Sequence, residues 1–356
     1  MWGSLRVRGA VRDLRRAAPH PLPQTPSLAE RGTAPGAGSH GTSSFAPSAR
    51  FFSPAFHLER SACCAGHRVR LCEPSHVKPA TLTPLLDLSE SPAGSRVSYF
   101  IGGANLAEPA REVAAQLIAD DGMRVACGNA PVLGSWRARR DGGAPHPPVR
   151  RQAVETYASI AFGLPGAPPN TDHLQGHVAE LIWNRVLGER ETCVDGRRLV
   201  KAHSVKADPT EPGGDGLVIY RDSDGDLVFR LWEIKKHAAT ARISATINRA
   251  SSQLEGRGHE YLAKLAAPET LTAEGELLDL YGEMVELWFD RSVRAGVGVA
   301  VGTTKDNAPR DGRTFRSIRT RFPAFTSATQ TEGLVVALPD FAGFADRVKE
   351  IVWSGL

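Results

Sequence analysis

Two apolar runs separated by an Asp-Gly turn place the strongest constraint on how this chain folds. The first run, GLVIY, covers residues 216–220, and the second, LVFRLWEIKK, covers residues 227–236. Between them, DSDGD at 222–226 contains the Asp-Gly pair that is typical of a tight turn between antiparallel strands. We therefore predict a β-hairpin with solvated aspartates in its turn, because this turn lacks the spaced ligands and the distal Glu of an EF-hand calcium loop.

The hairpin is expected to bring charged side chains together. Side chains alternate along a strand, so Glu233 and Lys235 point to one face and Ile234 points to the other. Asp215 stands at the mouth of the first strand, and pairing across the turn places it opposite Trp232, near Glu233. The second run is apolar enough to be buried, and a buried charge requires a partner or a metal ion. The ordinary alternative is an exposed strand face on which Glu and Lys alternate.

Two carboxylates beside a lysine suit metal-assisted cleavage of a phosphodiester. Mg²⁺ prefers oxygen ligands and keeps several waters, so Asp215, Glu233 and the main-chain carbonyl of Ile234 suffice for a site that substrate phosphate completes. The bound ion lowers the pKa of a water molecule and stabilises developing negative charge. Lys235 is expected to orient that water or to neutralise the pentacovalent phosphate. The expected cofactor is Mg²⁺, for which Mn²⁺ can substitute.

A helix that precedes the hairpin supplies a further candidate ligand. HLQGHVAELIWNRVLGE, at 173–189, has apolar residues at helical spacing and follows Thr171 and Asp172, either of which is a good N-cap. Glu180 lies inside this helix and is a candidate third carboxylate of the metal site. The ordinary interpretation of Glu180 is a solvated residue on an amphipathic helix. A strand at 198–205 is expected to connect the helix to the hairpin.

The remaining segments predict an α/β fold with a mixed central sheet flanked by helices. The glycines of GVGVAVG, at 296–302, lack GxGxxG spacing, so they are expected to let a neighbouring element approach closely rather than to bind a dinucleotide. The predicted elements after the hairpin are a helix at 238–266 with a break near 256–258, a helix at 273–294, a strand at 295–303, a basic loop through Arg321, a strand at 333–338 and a helix at 339–353.

This order of residues resembles the PD-(D/E)xK nuclease superfamily. The resemblance rests on Glu180 in a helix, Asp215 after glycines, Glu233 and Lys235 in Glu-x-Lys on the next strand, and a polar helix after it. It implies a restriction-endonuclease-like core of helix, three strands, helix and strand, for which the matching segment is 173–303. It also implies a Mg²⁺-dependent endodeoxyribonuclease in which those four residues are catalytic.

Two departures bear on the subgroup. Proline does not directly precede Asp215, and Gln253 is followed four residues later by Arg257 instead of the tyrosine of RecB-type nucleases. The GxD and WExK contexts, the Asn/Ser-rich helix and the late strands resemble the HamA-type nuclease subunit of Hachiman anti-phage systems. That resemblance implies DNA as substrate, a role in prokaryotic defence, a cytoplasmic location and a helicase or another defence-complex subunit as partner. The alternative is a catalytically silent nucleic-acid-binding or scaffolding subunit of a defence or repair complex.

Composition divides the 356 residues into three parts. Residues 1–80 have a net charge of +7, whereas the whole chain has a net charge of +4, so the remainder is mildly acidic. Residues 1–80 are also rich in Arg, Ala, Pro and Gly. We expect them to be a disordered or mis-annotated extension, with a transit peptide as the alternative. Residues 81–150 are expected to form a small N-terminal lobe, with a helix ending near Gly122 and a linker at 137–150. Residues 151–356 are expected to form the nuclease-like domain.

Cysteine and hydropathy patterns exclude further classes. Five cysteines, an odd number, argue against a secreted disulfide framework, and free thiols are favoured over a zinc site made from Cys63, Cys64, Cys72 and His67 because adjacent cysteines do not fit CxxC spacing. No apolar window is long enough to predict a membrane span.

Candidate phosphate contacts lie outside the carboxylate cluster. Lys201, His203 and Lys206 are on or beyond the strand that precedes the hairpin, with ordinary surface positions as the favoured alternative. Arg242 and Arg249 on the following helix are candidates for contacts with backbone phosphates, with a merely solvated helix face as an equal alternative. The basic loop Lys305–Arg321 is the strongest candidate for an electrostatic clamp on DNA.

Overall fold

The computed structural model describes residues 81–92, 94–211, 214–238 and 241–356. The predictions for residues 1–80, which are the N-terminal extension and the zinc-site alternative, lie outside the described residues. All of the described residues belong to one compact unit, Pro74–Leu356.

The described strands form a mixed sheet of seven strands. They are β1 (Ser89–Glu90), β2 (Ser98–Gly102), β3 (Arg198–Ala202), β4 (Gly216–Arg221), β5 (Leu227–His237), β6 (Val297–Thr304) and β7 (Thr331–Leu338). Their order across the sheet is β1-β2-β7-β6-β5-β4-β3. Strands β2, β7, β6 and β5 run parallel, while β3, β4 and β5 form an antiparallel meander and β1 pairs antiparallel with β2. The predicted hairpin is therefore present as β4 and β5.

Helices cover both faces of this sheet. In the described part of the chain they are α1 (Thr83–Leu86), α2 (Ala110–Cys127), α3 (Pro131–Arg140), α4 (Pro148–Phe162), α5 (Thr171–Glu189), α6 (Ile243–Ala266), α7 (Glu276–Phe289), α8 (Arg316–Arg321) and α9 (Phe341–Ser354). The α/β class with a mixed sheet flanked by helices is confirmed. No helix among the described residues is long and apolar enough to cross a membrane.

Alternation along β5 divides the core into two layers. Phe229 and Leu231 pack with residues of α6, α7 and α8, whereas Trp232 and Ile234 pack with residues of α2, α5 and α9. Both faces of β5 are buried because its apolar residues occupy both sets of alternating positions, as expected of a central strand. The predicted separation of Ile234 from the Leu231 face is confirmed.

Glycines in β6 make room for large side chains. A Cβ at Gly298 would collide with the Trp232 ring on neighbouring β5, and a Cβ at Gly302 would come within 2.6 Å of Phe341 at the start of α9. The close approach predicted for these glycines is confirmed, and it involves both a strand and a helix.

Two predicted breaks at glycines were wrong. Helix α2 continues through Gly122 to Cys127, and α6 is continuous through Gly256 and Gly258. A Cβ on Gly122 would collide with Phe162, and one on Gly258 would collide with Trp288. These two glycines therefore let aromatic rings lie against a helix, a tertiary requirement that outweighs their low helix propensity.

The predicted linker at 137–150 was also wrong at both ends. Helix α3 extends to Arg140 because Val132, Leu133 and Trp136 are buried and its partly exposed Arg137 and Arg140 pair with Asp120 of α2, and α4 begins at Pro148. The segment predicted as a basic loop contains helix α8. The N-cap of helix α5 is Asn170 and not Thr171 or Asp172, because the Asn170 side chain accepts a 2.7 Å hydrogen bond from the Asp172 amide.

The boundary expected at residue 150 does not divide the sheet or its core. Strand β2 is the neighbour of β7, and Phe100 pairs with Leu334 in register. The indole of Trp136 donates a 2.9 Å hydrogen bond to the carbonyl of Val352 in α9. Residues 81–150 thus supply two strands and part of one helix layer to the same unit as residues 151–356.

Candidate active site

The candidate site lies where β5 extends past the start of β4. Gly216, the first residue of β4, pairs with Trp232, while β5 continues to His237 with β6 as its partner. The register differs by one residue from the predicted one, so Asp215, just before β4, lies beside Glu233 rather than opposite Trp232. A notch therefore opens on the β4 side of β5, at its carboxyl end.

Asp215 closes the hydrogen-bond ladder at this notch. Its Oδ2 atom accepts a 2.8 Å hydrogen bond from the Ile234 amide. The amides of Phe229 and Leu231 donate toward the β6 side of β5, so the amide of Ile234, an even-numbered residue, faces β4. The N–H and C=O groups of one strand residue point to the same side. The Ile234 carbonyl, which is the predicted main-chain ligand, therefore also faces the notch.

Glu233 is completely buried at 0 % exposure and is the most constrained acid in the site. Neither of its carboxylate oxygens accepts a well-formed hydrogen bond from any described residue. Its Oε1 atom is nevertheless in ion-pair contact with the Lys235 ammonium, which lies 3.8 Å from Asp215 Oδ2. The predicted common face of Glu233 and Lys235 is thus observed, with the lysine situated between the two carboxylates.

Burial and mutual repulsion favour protonation of this acidic cluster. Burial, reinforced by repulsion from Asp215, raises the pKa of both Glu180 and Glu233 to about 8, although Lys235 opposes the shift. Burial also raises the pKa of Asp215, against the attraction of Lys235 and the hydrogen bond from Ile234. For Lys235, burial disfavours the ammonium, but the attraction of Glu233 and Asp215 prevails and the pKa is raised.

All four predicted site residues therefore act on one another electrostatically. Asp215 and Glu233 belong to the hairpin. Glu180 belongs to α5, which packs on β5, and it is close enough to interact electrostatically with both acids. Three acids near Lys235 and Lys206 leave an excess of negative charge that a proton or a bound cation must balance. This is the charge environment that a divalent metal ion requires.

The three candidate phosphate contacts before the hairpin have separate surroundings. Lys201 forms a 2.6 Å ion pair with Glu269, and His203 is buried with its Nε2 atom 3.0 Å from the Tyr281 hydroxyl. Burial lowers the pKa of His203 to about 4. Lys206 instead lies within the field of the acids, where it counteracts the raised pKa values of Glu180 and Asp215. It is the one member of this trio that contributes to the site.

Tyr261 is a site-supporting residue that the sequence pattern did not reveal. This tyrosine of α6 is buried, and its hydroxyl accepts a 2.8 Å hydrogen bond from Gln253. A Cβ on Gly214 would lie 2.8 Å from the Tyr261 Cβ. The segment that presents Asp215 therefore packs directly on α6, and glycine at 214 permits the contact. The glycine before Asp215 was the available signal, but its partner on α6 was not predictable from local spacing.

The donor atoms fit a hard divalent cation. They are carboxylate and carbonyl oxygens, and while Lys235 contacts Oε1 of the buried Glu233 carboxylate, its Oε2 atom has no hydrogen-bond partner among the described residues. Across the described residues, no group of three His, Cys, Asp or Glu side chains is arranged around a common metal position. The fit is therefore to Mg²⁺ held by one or two carboxylates and completed by water and phosphate, not to a closed structural metal site.

Comparison with known proteins does not assign the chain to a family. No family model matches the sequence, and no curated protein is significantly similar to it.

Proposed function

We propose that this protein is a Mg²⁺-dependent nuclease that hydrolyses DNA phosphodiester bonds. The observation that carries the proposal is the Asp215–Glu233–Lys235 cluster at the carboxyl end of β5, in which Glu233 is buried and the other two are partly exposed, with Glu180 nearby and the pKa of both glutamates raised to about 8. A purely structural ion pair would not require three acids around one lysine, and perturbed titratable groups gathered at a notch are typical of functional sites.

Each residue has a distinct task in this proposal. Asp215, Glu233 and the Ile234 carbonyl would hold the ion, and Glu180, which the structure does not group with them around one metal position, would add negative charge nearby. When bound, Mg²⁺ supplies charge stabilisation and a water of lowered pKa. The Ile234 amide fixes the orientation of the Asp215 carboxylate. Lys235, beside both carboxylates, would donate to the attacking water or to a phosphoryl oxygen as negative charge develops.

The order of elements around the site also supports the proposal. Helix α5, the antiparallel β3–β4–β5 meander, helix α6 and strand β6 parallel to β5 follow in this order along the chain, with one additional helix, α7, between α6 and β6. That is the order implied by the resemblance to PD-(D/E)xK nucleases, which we propose as the superfamily. The resemblance to HamA-type subunits extends the proposal to anti-phage defence with a helicase partner.

A plasmid-nicking assay tests the activity. We expect wild-type protein to convert supercoiled plasmid to nicked or linear DNA in Mg²⁺ and not in EDTA. Asp215→Ala, Glu233→Ala and Lys235→Ala should each reduce the rate at least about a hundredfold, because the first two remove a ligand of the ion and the third removes the ammonium that acts on the water or the phosphate. Asp224→Ala, a change at an exposed aspartate in the hairpin turn, should leave the rate unchanged.

Equal nicking by all of these proteins would indicate a contaminating nuclease and would refute the assignment. Absence of cleavage by wild-type protein that still binds DNA would favour the silent DNA-binding subunit instead.

A further inference from the structure

Three adjoining cavities run along α8 and the start of α6. Their volumes are about 580, 410 and 680 Å³, and Arg313 lines all three. The first lies against β2, the second lies between α6 and α8, and the third lies where α6 begins. We refer to these three cavities together as the arginine groove.

Positive charge dominates the arginine groove. Seven arginines line it, against two carboxylates, Glu255 and Asp306. Glu255 is already paired with Arg321 at 2.9 Å. The Arg313 side chain is 93 % exposed, and its ion pair with Asp311 is long, at 3.7 Å. The seven arginines are Arg96, Arg242, Arg310, Arg313, Arg316, Arg319 and Arg321. A surface of this charge attracts a polyanion.

The cavity against β2 adds an apolar wall to this charge. Val97 and Tyr99 line it together with arginines, and the Tyr99 ring stacks on Phe315 with centroids 5.2 Å apart. Phe315 in turn lies on Gly333 of β7, where a Cβ would collide with its ring. The aromatic wall is therefore held rigidly by the sheet. An aromatic surface bordered by guanidinium groups is suited to a nucleobase with its flanking phosphates.

The opposite end of the arginine groove lies near the carboxyl ends of β5 and β6, where the candidate active site also lies. Arg242 and Ser244 of its third cavity follow the end of β5, and Asn307 follows the end of β6. These two strands are parallel, so both ends lie at the same edge of the sheet as Glu233 and Lys235. A strand of nucleic acid bound along the groove would therefore lead toward the carboxylate cluster.

We propose that the arginine groove binds single-stranded DNA, with one unpaired base against Tyr99 and adjacent phosphates on the arginines. In duplex DNA the bases are stacked and paired, so none is free to enter a pocket beside an aromatic ring, whereas an unpaired base is. Binding itself is independent of the proposed hydrolysis; only delivery of the strand to Glu233 and Lys235 rests on the nuclease function.

Fluorescence anisotropy of the full-length protein in EDTA tests the proposal. The probes are a labelled single-stranded oligonucleotide of about 12 nucleotides, the same oligonucleotide with abasic sites at its centre, and the matching duplex. We expect the intact single strand to bind about tenfold more tightly than either of the others. Tyr99→Ala should abolish the difference between intact and abasic strands, because it removes the stacking surface.

Arginine variants supply the second comparison. Arg313→Ala combined with Arg316→Ala should weaken binding of the single strand about tenfold or more and reduce the dependence of affinity on salt. Arg198→Ala, at an exposed arginine on β3, should bind as wild type does. The wild-type comparison of intact and abasic strands requires no substitution, so it decides the proposal even if Tyr99→Ala unfolds.

Equal affinity for duplex and single strand, or for intact and abasic strands, would overturn the proposal. That result would leave the nuclease assignment standing if plasmid is cleaved. Conversely, tight and base-dependent binding in EDTA by a protein that cleaves nothing would support the groove and refute the hydrolytic function.

Discussion

At the scale of single residues, the site combines a locally predictable part with a part that depends on tertiary packing. Asp215, Glu233 and Lys235 come together because one hairpin carries all three, so strand alternation and turn chemistry were enough to predict their proximity. Glu180 reaches them only through the packing of α5 on β5, and the ordinary interpretation of a solvated glutamate was equally consistent with its sequence. Lys206 was predicted only as a candidate phosphate contact, with an ordinary surface position favoured, and Tyr261 carried no pattern that marked it as a neighbour of the site.

The raised pKa of Glu180 and Glu233 predicts a specific dependence of stability on pH. Unfolded glutamates titrate near 4.5, but these two titrate near 8 in the folded protein. The folded state therefore binds more protons between these values, and stability is lost as the pH rises toward 8. Above pH 7 the buried histidines with lowered pKa, His177 and His203, are neutral in the folded state and mostly neutral in the unfolded state, so they contribute little to the change.

In EDTA, we therefore expect the melting temperature of the wild-type protein to fall by on the order of 5 °C between pH 7 and pH 9. Glu233→Gln should reduce this fall, because a neutral amide neither loses a proton nor repels Asp215. Glu286→Gln, at an exposed position on α7, is the matched control and should retain the wild-type slope. Thermal unfolding followed by circular dichroism measures all three, and the same slope for Glu233→Gln as for wild type would count against a shared acidic cluster.

At the scale of elements, periodicity predicted the strands and most helices. The predictions that rested on helical glycines or on an arginine-rich segment were wrong. Strands β4, β5, β6 and β7 are buried on both faces, so each of them is recognisable in the sequence as a nearly continuous apolar run. Gly122 and Gly258 resembled helix breakers because the aromatic rings that occupy their missing side-chain volume are remote in sequence. The last turn of α3 was predicted to belong to a linker because arginines and a Gly-Pro-rich segment follow one another there, while the buried residues that hold the helix, Val132, Leu133 and Trp136, lie before residue 137.

The packing of Trp232 on Gly298 predicts a large effect from a small substitution. Gly298→Ala places a methyl group where the indole lies, so we expect a loss of about 1–3 kcal/mol in the free energy of unfolding. Gly134→Ala, in the exposed part of α3 with no neighbour near its Cβ, should be neutral or stabilising by about 0.5–1 kcal/mol. Urea unfolding of both variants compares them directly. An equal effect of the two substitutions would show that β5 and β6 are not packed as described.

At the scale of the whole molecule, the segment 81–150 was expected to be a separate lobe, yet β2 pairs with β7 and α2 packs on α9. Pairing of strands this distant in sequence leaves no local signal. A chain that begins at residue 151 would therefore expose one side of β7 and the apolar face of α9. We expect it to show no cooperative thermal transition and no plasmid cleavage, with the full-length chain measured alongside. Cooperative unfolding of the shorter chain would restore the two-domain description.

The central claim for the molecule is that the notch beside β5 is a metal centre whose acids hold protons until the ion binds. Isothermal titration with Mn²⁺ at pH 7, in two buffers of different ionisation enthalpy, measures both properties together. We predict one ion bound per wild-type chain with release of about one proton, and binding weakened at least about tenfold by Glu233→Gln. Absence of binding by the wild-type protein, or unchanged affinity and proton release in Glu233→Gln, would contradict the account.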